Sequence, residues 1–277
     1  MWSYSKITTF SGCQLKYRLN YVEKWKPTIE NSSDVTLKGL AIHETLEVED
    51  TLNTIDDIKA MLQSKNKEQK ITDDVYDLEL VANRIKMYKE QYLDVCRSKG
   101  DKVYHEMELK TKLNDEEFCG FIDCIVEHTD GKITVIDYKT PKGIDAERYK
   151  KQLTLYTVMY MKIHGYDLSD IGGIAKIKVF FPLGKTKTEN LDEMFIEIPL
   201  DVNLAKETIE YLFGEIEAIK NFDWKNAEPN ISFSCKWCPY AGAMPNSNGF
   251  CGCVASSLNG NYQPIGQTYV KPEEKAE

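Results

Sequence analysis

The sequence lacks the features that would divide it or embed it in a membrane. No Pro-, Gly- or Ser-rich stretch separates one half from the other, so its length fits one elaborated domain better than two small ones. No apolar run reaches the length of a bilayer span. The opening MWSYSKITTFSGC has no apolar core of the kind a secretory signal carries. A cytosolic protein is expected, and there the eight cysteines are not read as a disulfide framework. Internal repeats and low-complexity blocks are also missing. So is an excess of positive charge: 35 Lys and Arg face 44 Asp and Glu, for a net charge of −9. That argues against a passive nucleic-acid coat, but not against an enzyme whose acids are matched by cations. Basic stretches do exist locally, at Lys6, Lys16, Arg18, Lys24 and Lys26, and again at Lys139, Lys142, Arg148, Lys150 and Lys151. The acidity gathers in residues 44–57 and 73–79, runs that read as solvated helix faces.

Apolar periodicity and turn residues give the element order. Ser3 or Ser5 can cap a first helix running to about Tyr21. Residues 39–50, 55–64 and 72–98 read as further helices, the last with Leu78, Val81, Ile85, Tyr88 and Tyr92 at helical spacing. Strands are expected near 103–112, 117–127 and 132–139. A helix over 145–164, strands over 174–181 and 194–198, and a helix over 201–221 follow. A cysteine-bearing irregular segment occupies 233–254, and a polar tail completes the chain. Helices, a strand meander, a helix and more strand imply a sheet with helices on its faces, not a bundle.

The most informative stretch is GFIDCIVEHTDGKITVIDYK, residues 120–139. Two apolar strands are joined by a turn. Side chains alternate along a strand, so Asp137 and Lys139 share one face and Tyr138 takes the other. A three-residue turn over Thr129, Asp130 and Gly131, with Gly131 left-handed, places Asp123 opposite Asp137. A two-residue turn would put Asp123 opposite Tyr138 instead. Two acids and a lysine at the end of an apolar strand are costly to bury without a purpose. They suit metal-assisted phosphodiester hydrolysis, in which carboxylates hold a divalent ion and the ammonium orients water or stabilises phosphate.

Three weaker features add to this set. His43 lies in a helix within GLAIHETLE, and neutral imidazole binds Mn²⁺ and similar ions. Taken alone, such a histidine is more often a surface or core residue. Gln152 and Tyr156 are four apart on the helix after the Asp137 strand, placed to brace the lysine or hold a nucleic-acid strand. Glu108, in HEMELK on the preceding strand, is a further carboxylate within the same meander.

The cysteines form a second constellation. Cys235 and Cys238 make a C-x-x-C in a loop, and Cys251-Gly252-Cys253 follows. Two sulfurs at that spacing can share one metal centre. Cys13 is the candidate that completes a set with Cys251 or Cys253. A zinc site built from 235, 238, 251 and 253 is the local alternative. Cys96, Cys119 and Cys124 read as small core residues, with Cys124 facing away from Asp123.

Together the segments SYSKITTFSGCQLKYRLNYV, GLAIHETLE, GFIDCIVEHTDGKITVIDYKT, QLTLY and FSCKWCPY occur in the order found in a known family. The chain resembles the RecB-like, AddB-like iron–sulfur branch of the PD-(D/E)xK nuclease superfamily, including its CRISPR-associated RecB-like exonucleases. The resemblance covers about residues 3–253. It implies a restriction-endonuclease-like core, a central mixed sheet flanked by helices, with an N-terminal helical region and a C-terminal cysteine-rich cluster segment. One domain over 1–254 is implied, with a helical insert at about 44–100, a cluster segment of Cys13 plus 233–253, and a tail at 255–277.

The resemblance also implies roles. His43, Asp123, Asp137 and the Tyr138 backbone carbonyl would bind Mn²⁺ or Mg²⁺, with Glu108 a weaker candidate. Lys139 would assist attack of water, and Gln152 and Tyr156 would support the site or the DNA. Cys13, Cys235, Cys238 and Cys251 would bind a [4Fe–4S] cluster, with Cys253 the alternative fourth ligand and Zn²⁺ the alternative metal. The function implied is a metal-dependent DNA exonuclease acting on single strands or duplex ends in recombination, repair or phage replication. It would work in the cytoplasm of a bacterium or an infected host, without a membrane, with a helicase or recombination protein as a candidate partner. The rival from another class is a DNA- or partner-binding protein that keeps the fold without turnover. The chain departs from the family pattern by lacking a proline before Asp123 and by its long interval from Cys238 to Cys251.

Overall fold

The structure is a computed structural model. It describes residues 1–24, 26–27, 34–68, 77–140, 145–184, 190–230, 232, 238, 240 and 269–270. In chain order the elements are α1 (Tyr4–Gly12), α2 (Gln14–Tyr17), β1 (Lys26–Pro27), α3 (Asp34–Glu47), α4 (Ile55–Glu68), α5 (Leu78–Tyr88), α6 (Asp94–Ser98), β2 (Lys102–Leu113), β3 (Glu116–Glu127), β4 (Ile133–Tyr138), α7 (Lys150–Ile163), α8 (Ile171–Ile174), β5 (Ala175–Phe180), β6 (Phe195–Ile198), α9 (Val202–Lys220) and β7 (Tyr269–Val270). They form two compact units. Met1 with residues 34–209 make the first, and residues 2–33 with 210–277 the second.

The first unit is built on a five-stranded sheet of order β2-β3-β4-β5-β6. The β4–β5 pair is parallel and the other three pairs are antiparallel. A parallel pair needs a crossover, and α7 supplies it between β4 and β5. Every residue of β4, ITVIDY, is buried, as expected of a strand covered on both faces. Ile136 and Tyr138 join a large apolar cluster with Ile42 and Leu46 of α3, Leu62 of α4 and Val81, Ile85 and Tyr88 of α5. Nine consecutive residues of α7, Leu153 to Met161, are buried, so this helix lies inside its unit rather than on it.

The expected sheet and helices are thus present, with differences in detail: the helix expected over 39–50 runs Asp34–Glu47, and residues 72–76 of the one expected over 72–98 lie outside the described residues. The first helix is not continuous. Ser3 caps α1 through its hydroxyl, which accepts from the Lys6 N–H. Cys13 then turns extended (φ −167°, ψ 109°) and starts α2, its Sγ accepting from the Lys16 N–H. The stretch from Leu78 to Ser98 is helical throughout but takes a π-helical turn over Lys89–Leu93. Most of segment 233–254, with Cys235, Cys251 and Cys253, lies outside the described residues. Among the described residues, no helix is long and apolar enough to cross a membrane.

In the second unit, Phe10, Tyr17, Ile219 and Trp224 form an aromatic cluster, with the Tyr17 and Trp224 rings stacked at 5.1 Å. A neighbouring small cluster holds Leu15, Leu19 and Tyr240, against which Cys13 and Cys238 both pack.

Candidate functional site

Two turns set the site. Asn114 and Asp115, both at positive φ (45° and 67°), link β2 to β3 as a two-residue hairpin loop and pair Leu113 with Glu116. Counting back along that register sets Glu106 opposite Asp123. The second turn spans Thr129 to Gly131. Gly131 is left-handed at φ 82°, its N–H donates to the His128 carbonyl, and the His128 N–H donates to the Lys132 carbonyl. This is the three-residue form expected from the sequence. It pairs Glu127 with Ile133 and Cys124 with Ile136, so the next step of the register sets Asp123 against Asp137.

The carboxylates meet with few counter-charges. The Tyr138 N–H donates to Asp123 Oδ2 at 2.6 Å. His43 Nδ1 from α3 stands 3.6 Å from the same oxygen, too far for a hydrogen bond. His43, Glu106 and Asp123 each offer a ligand atom, all within 4.8 Å of one another, an arrangement that fits one small cation between them. Glu106 has φ 46°, a rare conformation for a non-glycine residue, and it hydrogen-bonds Glu47 of α3. Asp137 is 4% exposed. Lys139 Nζ lies 2.6 Å from its Oδ2. The same Nζ sits 4.8 Å from the centre of the Tyr149 ring.

Electrostatics follow from burial. Burial, with the Asp123 charge next, pushes Asp137 up, and burial alone is the largest cause of the upward shift at Asp123. Burial and the Asp123 charge raise Glu106 to about 7. Burial and Lys139 lower His43, which keeps the imidazole neutral and available as a ligand. Burial draws Lys139 down, but Asp137 and Asp123 outweigh it and leave it raised, a fixed cation. One lysine beside Asp123, Asp137 and Glu106 leaves negative charge that a divalent cation would neutralise, so the donor set fits a metal.

Behind this site Tyr138 is anchored by its phenol. The hydroxyl, fully buried, lies 3.3 Å from the Tyr88 hydroxyl and 3.4 Å from His105 Nδ1. His105 Nε2 contacts Glu49 Oε1 at 3.2 Å, and Arg97 donates to the same carboxylate at 2.5 Å. Burial would push Glu49 up, but hydrogen bonds with His105 and Arg97 outweigh it and hold the carboxyl below the ordinary range.

The structure thus brings His43, Asp123, Asp137 and Lys139 together. Gln152 Nε2 donates to the Tyr156 hydroxyl at 3.2 Å. A Cβ on Gly120 would meet a Tyr156 ring carbon at 2.5 Å, which explains the glycine three residues before Asp123. Glu108 stands apart, ion-paired with Lys110 at 2.6 Å on an exposed stretch of β2. Cys124 is buried in the helix-side cluster, and Cys96 is buried with it. Cys119, expected as a core residue, is only partly buried, because it falls on the open side of β3. Glu106, Glu47 and Tyr149 were not singled out from the sequence. Glu106 was within reach, since the Asn114-Asp115 turn fixes its register with Asp123.

The core thus carries two acids and a lysine on one hairpin, at the point where three strands meet α3. The model of the PD-(D/E)XK nuclease superfamily matches residues 1–243, and the chain belongs to that superfamily. No curated protein matches the chain. Among solved structures, the one described as the crystal structure of SSO0001 is similar over 86% of this chain and 96% of its own, at 15% identity and a TM-score of 0.33.

Proposed function

We propose that this protein is a metal-dependent DNA exonuclease of the RecB-like iron–sulfur branch, acting on single strands or duplex ends. The observation that carries the reading is the apposition of Asp123 and Asp137 on adjacent strands, with Lys139 and His43 against them. His43, Asp123 and Glu106 would hold Mn²⁺ or Mg²⁺, with Asp137 and the Tyr138 carbonyl beside them. Bound there, the cation supplies Lewis acidity and charge neutralisation at the scissile phosphate. Lys139, held as a cation by Asp137, contacts a phosphate oxygen or orients the attacking water. Gln152 and Tyr156 brace this end of the sheet. Hydrolysis is by direct water attack, with no covalent intermediate. A helicase or recombination protein is the partner such an enzyme would serve, and residues 1–254 would act as one nuclease module.

In the second unit, Cys13 and Cys238 would ligate a [4Fe–4S] cluster with Cys235 and Cys251, or with Cys253 in place of Cys251. Two features support this. Cys13 and Cys238 both pack on the Leu15–Leu19–Tyr240 cluster, and Cys13 Sγ accepts two backbone N–H donors, from Lys16 and Asn230, each at 3.4 Å. Hydrogen bonds to sulfur suit a cluster thiolate.

The test is Mn²⁺-dependent release of nucleotides from end-labelled linear DNA, beside a closed circle of the same sequence. Lys139→Ala and Asp137→Asn should abolish release while Lys139→Ala melts close to wild type. Near wild-type rates in both variants with excess Mn²⁺ would remove the assigned site. Cleavage of the circle as fast as the linear strand would remove the exonuclease reading.

A further inference from the structure

Behind the acids lies a buried carboxylate that the proposed chemistry does not use. Glu49 sits in the short turn that follows α3 and is fully buried. One of its oxygens meets both Arg97 of α6, at 2.5 Å, and His105 Nε2 of β2, at 3.2 Å. An ionised carboxylate only accepts, so His105 donates from Nε2 and its Nδ1 is left to accept. The Tyr138 hydroxyl stands 3.4 Å from that nitrogen and donates to it. The Tyr88 hydroxyl, 3.3 Å from the Tyr138 oxygen, can donate in turn. The protons of this chain all point one way, toward Glu49.

Its two middle members border the site. Tyr138 lies between Asp137 and Lys139 in sequence. Its N–H donates to Asp123 Oδ2, and its ring meets the His43 ring edge-on, 5.7 Å between centres. His105 precedes Glu106, whose φ of 46° is held by a non-glycine residue only where its surroundings impose it. One buried chain therefore pins the backbone beside His43, Asp123 and Glu106, the three groups that converge on one point. Stability alone gives little reason for a charged chain here. Apolar side chains of similar volume commonly serve as well as a buried ion pair, and Leu46 and Leu52 on either side of Glu49 already join the apolar cluster.

We propose that Glu49 and His105 are positioning residues of the metal site. Acting through Tyr138 and the backbone of Glu106, they hold His43, Asp123 and Glu106 in place before the cation arrives. Neither touches the cation or the DNA. The proposal rests on the nuclease reading and adds to it the residues that set the geometry of its ligands.

The test is Mn²⁺ affinity, read by electron paramagnetic resonance of the free ion, beside kcat and KM on single-stranded DNA and melting in EDTA. Tyr138→Phe removes one hydroxyl and keeps the ring and the N–H. It should weaken Mn²⁺ binding about tenfold or more and lower kcat at saturating Mn²⁺, with KM for DNA unchanged. Glu49→Met takes away the acceptor of His105 and the buried partner of Arg97, so both Mn²⁺ affinity and melting temperature should fall. Adding Arg97→Met removes the stranded charge and should return melting toward wild type. Mn²⁺ affinity should stay low, because His105 still has no acceptor. Affinity that follows melting through this series would overturn the proposal and leave the chain a purely structural one. So would wild-type affinity in Tyr138→Phe, which decides the matter alone should Glu49→Met fail to fold. If the wild type neither binds Mn²⁺ nor cleaves DNA, the nuclease reading fails and the positioning role fails with it; if it does both and the variants bind Mn²⁺ equally well, the positioning role alone fails.

Discussion

Replacing Gly120 with alanine probes the support of the site without touching a reacting group. The added Cβ would lie 2.5, 3.0 and 3.1 Å from three carbons of the Tyr156 ring. Ordinary contact begins near 3.4 Å, so the ring must retreat by about 0.9 Å. It has little room, because Tyr156 is 8% exposed within a helix whose neighbouring residues are all buried. Forced repacking of this kind costs about 1–3 kcal/mol, a fall in Tm of roughly 2–10 °C. A displacement of about 1 Å near a reacting centre also costs on the order of a hundredfold in rate. The assay is a double-mutant cycle read by thermal melting and nucleotide release. Tyr156→Leu makes room, so Gly120→Ala should cost less in that background, with a coupling of about 1–3 kcal/mol. Tyr156→Phe keeps the ring and should not relieve the clash. Unchanged melting in Gly120→Ala, or strict additivity with Tyr156→Leu, would refute the reasoning.

Other expectations concern the acids and the cysteines. Glu106→Gln should weaken Mn²⁺ binding in titration calorimetry, whereas Glu108→Gln, in the exposed pair with Lys110, should leave it unchanged. Glu106 has a native pKa near 7 against about 4.3 when unfolded, so its protonated form favours the fold at low pH and that stability is lost as pH rises toward 7. In EDTA, Glu106→Gln should therefore gain stability over wild type at pH 8 and lose that advantage near pH 4.5; a pH-independent difference would contradict the burial argument. Cys13→Ser should lose iron and melt lower than Cys96→Ser, because metal ligation is coupled to folding; equal melting and equal metal content would count against the cluster. Of Cys251→Ser and Cys253→Ser, the first should lose iron. Loss in the second alone would reassign the fourth ligand, and zinc in the wild type would replace the cluster with a zinc site.

Much of the first unit was legible because its signals are local. ITVIDY reads as a doubly covered strand, and the Thr129–Gly131 turn carries a left-handed glycine that fixes the register of Asp123. Glu106 was missed because HEMELK offers two acids of the same parity, Glu106 and Glu108. Only the register counted from Asn114-Asp115 separates them. The break at Cys13 was missed because the apolar period continues through it, while the cysteine itself turns extended and caps the next helix. The Tyr138–His105–Glu49–Arg97 chain joins residues far apart in sequence, and no periodicity announces such a contact.

The two hairpin turns have a consequence for what the chain tolerates. Glu106, Asp123 and Asp137 stand in a row across three strands only because both turns count to the same residue. Asn114-Asp115 and Thr129–Gly131 touch none of the three, yet each decides which side chain stands beside Asp123. An insertion of one residue in either turn would slide its pairing and bring a neighbour of the wrong face into the row. An insertion that leaves the ladders in place and grows only the loop would not. Length change at these distant tips is therefore a change to the site itself. A homologue with a longer turn should keep its acids aligned by bulging the extra residues out of the ladder, not by shifting it.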